Sequence, residues 1–84
     1  MTFYEFNLLS FDHQLNCVWQ QGTFLVTRRV GVFYLCLYAL DSFYVEIRYS
    51  QDLRQITACR SFRSNIALEP YLEQIELGAY RLSR

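Results

Sequence analysis

The sequence predicts an α+β fold. It has an N-terminal helix or helix pair, a four-stranded antiparallel β-meander, and a C-terminal helix packed on the same sheet face as the first. Three observations carry this reading. Val32–Leu40 is an uncharged run without proline or glycine, bounded by Gly31 and Asp41-Ser42. A run rich in aromatic and branched side chains between turn residues reads as a central strand buried on both faces. Phe43 to Tyr49 alternates: Phe43, Val45, Ile47 and Tyr49 share one phase, and Tyr44, Glu46 and Arg48 the other. Phe11, Leu15, Val18 and Trp19 recur at three- and four-residue spacing, which is one face of an amphipathic helix.

Taken in order, Thr2-Phe3-Tyr4-Glu5 is a capping box that can open a short helix to about Leu9. Ser10 restarts the pattern, and Gly22 stops it as a left-handed cap. A single bent helix from Thr2 to Gln21 fits the same residues. Thr23–Val30 is strand-like, and Gly31 returns the chain into the central strand. Gln51–Arg54 is a loop, and Gln55–Phe62 is the fourth strand. Ser64-Asn65 offers a cap for a helix from Leu68 to Leu77. Pro70 fits its first turn and Gly78 ends it. Residues 79–84 read as a loose tail on a single domain spanning 1–84.

Register follows from parity, because side chains alternate between faces. A two-residue Asp41-Ser42 turn would set Phe33, Leu35 and Leu37 beside Tyr44, Glu46 and Arg48, mixing apolar with charged positions. Asp-Ser also lacks the glycine that two-residue turns prefer. A three-residue loop or bulge is therefore expected, with Phe24, Val26, Phe33, Leu35, Leu37, Phe43, Val45, Ile47, Tyr49, Ile56, Ala58 and Phe62 under the helices. The opposite face then carries Tyr34, Cys36, Tyr38, Tyr44, Glu46 and Arg48, with nothing in the chain to cover it. Tyrosine and arginine are the residues of interface hot spots. These six are the expected binding surface.

Composition narrows the function. A chain of 84 residues buries only about two-thirds of its unfolded surface. With 52% hydrophobic and 18% aromatic residues, some apolar side chains must lie outside, which favours burial in an oligomer. Eight basic and eight acidic residues balance to zero, and every basic residue is arginine. That balance argues against a nucleic-acid partner. Cys17, Cys36 and Cys59 are odd in number and widely spaced, so they form no disulfide framework. With no basic-plus-apolar leader and no long apolar run, a cytoplasmic protein without a membrane span is expected.

No motif marks a reaction: the sequence holds no nucleophile elbow, phosphate loop, zinc-ligand pairing or cofactor fingerprint. His13 and Cys17 share a helix face, but a metal site or catalytic pair needs a third group that the sequence does not place. Arg28 and Arg60 fall in the inward phase, where each must find a carboxylate, with Glu69, Glu73 and Glu76 available, leave at the sheet margin, or be turned outward by a bulge. The expected function is that of a small non-enzymatic protein acting by protein–protein interaction, self-associating as a dimer through the open sheet face or an edge strand, with no metal or cofactor. The alternative is a ligand- or single-stranded nucleic-acid-binding module using Tyr34, Tyr44 and Arg48.

Overall fold

The computed structural model describes residues 1–63 and 69–71. Two short helices open the chain, α1 (Phe3–Asn7) and α2 (Phe11–Gln21). They are separate because each has its own cap. The Thr2 hydroxyl accepts from the Glu5 N–H, and the Glu5 carboxylate accepts from the Thr2 N–H, completing the capping box. The Ser10 hydroxyl accepts from the His13 N–H and starts α2.

Gly22 does not close α2 in the left-handed region. Its φ of −76° and ψ of 150° are extended, because the chain runs directly from α2 into the sheet. Glycine is needed there for space. A Cβ at this position would stand 2.7 Å from the Val18 carbonyl oxygen.

The strands β1 (Thr23–Val30), β2 (Phe33–Leu40), β3 (Phe43–Ser50) and β4 (Gln55–Phe62) form an antiparallel meander in the order β1-β2-β3-β4. Gly31 turns β1 into β2 with φ +59°. The β2–β3 connection is the two-residue Asp41-Ser42 turn, with Leu40 opposite Phe43. This overturns the expected three-residue loop. Asp41 takes φ +53°, the positive value that mirror-image hairpin turns require at their first position. Aspartate tolerates it better than most residues.

That turn reverses the parity of β3 and β4 relative to β2. Phe43, Val45 and Ile47 lie beneath α1 and α2, joined there by Leu40 and, at the margin, Tyr38. Phe6, Cys17 and Val18 complete this core. Phe6 has no exposed surface, and burial of a side chain that size stabilises by roughly 1.5–3 kcal/mol. On the other face lie Leu37, Leu35, Val26, Tyr44 and Phe62. Cross-strand pairing places Glu46 and Arg48 there too, opposite Leu37 and Leu35. Two bulges adjust the outer strands, one between Phe24 and Val26 and one opposite the Arg48/Tyr49 step. The first puts Phe24 and Val26 on different faces. The second sends Ile56 to the helical side and Ala58 opposite Arg48.

Residues 69–71 are helical, and Tyr71 is fully buried against Leu37 and Phe62. It therefore packs on the face opposite α1 and α2, not on the same one. Residues 64–68 and 72–84, with the expected Ser64-Asn65 cap, the Gly78 stop and the tail, lie outside the described residues. Among the described residues no helix is long and apolar enough to cross a membrane.

Candidate functional site

The six expected surface residues divide between the two faces. Tyr34, Cys36 and Tyr38 lie on the helical side; Tyr44, Glu46 and Arg48 lie on the other. Each set has its own chemistry. Tyr34 accepts from Gln51 Nε2 at 3.2 Å while Arg29 lies over its ring at 5.7 Å. Cys36 accepts from the Thr27 hydroxyl at 3.7 Å. Tyr38 stands edge-on between Trp19 and Phe24, with ring centroids 5.8 and 5.6 Å away. Burial raises its phenol above the ordinary range.

The Trp19–Tyr38–Phe24 row is the larger apolar feature of the helical side. Trp19 is 51% exposed and Phe24 54%. It sits at the N-terminal end of β1, whose outer edge pairs with no strand among the described residues. Leu25 and Val30 on the same strand are also exposed.

The opposite face holds a cleft of about 450 Å³ lined by Arg28, Arg48, Arg60 and Glu46 over an apolar floor that includes Val30, Phe33 and Leu35. Register explains the convergence. Arg28 and Arg48 both stand opposite Leu35, one from each neighbouring strand, and Arg60 stands opposite Glu46. Arg28 lies over the Tyr71 ring at 5.7 Å and Arg48 over Phe33 at 4.9 Å. Arg48 Nε also donates to Thr57 Oγ1 at 3.0 Å. Arg60 reaches Glu46 Oε1 at 3.4 Å, and the Tyr71 hydroxyl donates to Glu46 Oε2 at 2.7 Å. The partner of Arg60 is thus the strand residue Glu46. Glu73 and Glu76 lie outside the described residues, and Glu69 is helical and exposed.

Sequence reasoning flagged Arg28 and Arg60 as charges in need of a partner. It missed that Arg48 and Glu46 join them, because the expected loop had placed that pair on the other face. Cys36 and Cys59 lie on one row across the sheet with Ile47 between them. All three cysteines are free thiols, and burial pushes the Cys59 thiol up to about 11. Cys17 is buried and its thiol meets Met1 Sδ at 3.6 Å, while His13 is exposed. Among the described residues no three His, Cys, Asp or Glu side chains gather as metal ligands. Compared with models of known protein families, with curated proteins and with solved structures, the chain shows no match.

Proposed function

We propose that this chain is a non-enzymatic protein that acts by binding protein, and that it pairs β1 with β1 of a second copy. The observation that supports the reading is the exposed Trp19–Tyr38–Phe24 row beside the open β1 edge. An unpaired strand edge offers a ladder of backbone donors and acceptors to another strand. Large aromatic side chains next to it supply the apolar contact that makes such pairing specific. Antiparallel pairing about the middle of β1 would set Arg28 and Arg29 opposite the second copy's Leu25 and Phe24. Like charges then avoid each other. A net charge of zero adds no long-range repulsion. The three free thiols support a reducing, cytoplasmic setting.

Light scattering on the eluting peak at micromolar concentration tests this. Twice the chain mass is expected for the parent and the monomer mass for Phe24→Arg, which sets arginine against Arg29 of the second copy. Far-UV circular dichroism should show Phe24→Arg folded. A monomeric parent overturns the self-pairing.

A further inference from the structure

Three arginines over one cleft gather positive charge, because a guanidinium does not shed its proton in a protein. Arg28, Arg48 and Arg60 share that cleft with a single carboxylate, Glu46. Both Glu46 oxygens are already engaged, one by Arg60 and one by the Tyr71 hydroxyl. Among the described residues neither Arg28 nor Arg48 forms an ion pair with a carboxylate. Among the described residues that line the cleft, three cations less one anion leave two positive charges unmatched by a carboxylate.

The geometry concentrates that charge. Arg28 and Arg48 flank Leu35 from the strands on either side, so their backbones stand about 10 Å apart. Arginine side chains are long enough to meet above the leucine between them. The rings of Tyr71 and Phe33 hold the two guanidiniums in place and leave planar N–H edges to donate. Donors held in position lose less freedom when a ligand arrives.

We infer that the cleft binds a small organic dianion, a phosphomonoester or a dicarboxylate. Its head group accepts from Arg28 and Arg48, and its apolar body lies on Val30, Phe33 and Leu35. Both head groups match the fork of a guanidinium. The volume of about 450 Å³ suits a ligand of that size. The cleft is on the face opposite the Trp19 row, so it stands or falls separately from the pairing of β1.

Calorimetric titration of the full 84-residue chain with phenyl phosphate, benzene-1,2-dicarboxylate and phenol tests the inference. A single saturable site for one or both dianions is expected, and the dianion that binds identifies the source of the charge. Phenol, the ring without the head group, should not bind. Arg28→Gln and Arg48→Gln should each weaken binding by about tenfold or more, since each removes a charged donor. Arg63→Gln, whose guanidinium lies over the Phe3 and Tyr4 rings of α1 and not in the cleft, should leave it unchanged, and thermal melts establish that each variant is folded. Failure of both dianions to bind overturns the site. So does phenol binding as tightly as phenyl phosphate, or Arg63→Gln weakening binding as much as Arg48→Gln.

Discussion

The Tyr71 hydroxyl donates to Glu46 Oε2 at 2.7 Å, which fastens the C-terminal helical turn to the middle of the sheet. Tyr71 is fully buried against Leu37 and Phe62, and Arg28 lies over its ring. Burial first, and the Glu46 carboxylate second, push its phenol above the ordinary tyrosine range. The same bond holds Glu46 toward Arg60. One side chain thus closes the second core and steadies Glu46, the one carboxylate among the described residues lining the arginine cleft.

Tyr71→Phe keeps the ring and removes the donor. Glu46 is only 15% exposed, so water replaces the lost bond poorly. Hydrogen bonds to charged groups are worth about 1.5–3 kcal/mol. The melting temperature should fall by roughly 6–24 °C for a domain of this size. Tyr71→Ala, which also empties the ring site, should cost more, about 3–5 kcal/mol. Thermal melts followed by circular dichroism rank the three proteins. Equal melting of the parent and Tyr71→Phe would show that the bond adds nothing.

Alkaline pH should loosen the fold. Burial pushes the Cys59 thiol from the usual 9.0 up to about 11, and Tyr71 moves in the same direction. Both groups hold their proton more tightly folded than unfolded. The stability this contributes is whole below about pH 9 and is lost as pH rises from there through about 11. The urea midpoint should be flat from neutral pH to 9 and fall beyond it. At pH 8 the thiolate fraction of Cys59 should be about a hundredfold below that of an ordinary thiol. Peptide mapping after brief iodoacetamide treatment should therefore find Cys59 largely unlabelled. Rapid labelling at pH 8 would contradict a raised thiol.

Gly22 and Gly31 should respond to alanine for different reasons. At Gly22 the backbone is extended and suits any residue, so alanine gains a little from a stiffer unfolded chain, about 0.4–1 kcal/mol. The added Cβ meets the Val18 carbonyl oxygen at 2.7 Å, and backbone cannot swing away. Overpacking of that kind costs about 1–3 kcal/mol and should win. At Gly31 a Cβ meets nothing within 4 Å, but φ is +59°, a strain of roughly 1–2 kcal/mol. Urea denaturation should show both variants destabilised. A neutral Gly22→Ala would mean that α2 ends more loosely than its distances imply.

Most of the architecture was legible because period and punctuation agree. The spacing of α2 and the turns at Gly31 and 51–54 each point to one answer, while the Thr2 and Ser10 caps fit one bent helix as well as two. The faces were not legible, for a reason specific to β2. Phe33, Leu35 and Leu37 are as apolar as Tyr38 and Leu40, so β2 cannot tell which side the helices cover. The choice fell on the Asp41-Ser42 turn, and charge mixing was taken to exclude the short form. Charge is tolerated there because Glu46 and Arg48 face an open cleft, where Arg60, Tyr71 and Thr57 satisfy them. The candidate surface therefore joined residues that the fold divides between two faces. The two bulges have no glycine or proline to announce them: Phe24 and Ile56 stay on the expected helical side, while Val26 and Ala58 go to the cleft face.

The Asp41-Ser42 turn is the single point on which this parity rests, and it can be tested directly. Asp41 takes φ +53°, and its carboxylate accepts from the Met1 ammonium at 2.6 Å. The ion pair is exposed and contributes little, so the backbone should decide the outcome. Asp41→Gly removes the strain of a left-handed residue and should be neutral or stabilising, by less than about 1 kcal/mol. Asp41→Val puts a branched side chain into that region and should destabilise by roughly 1–2 kcal/mol or more. A three-residue loop at this place would not depend on Asp41 in that way, and the two substitutions would then differ little. Backbone cross-peaks between Leu40 and Phe43 in the nuclear Overhauser spectrum should persist in Asp41→Gly. Slipping by one residue would carry Val45 and Ile47 to the cleft and bring Glu46 beneath the helices, so their retention fixes both faces at once.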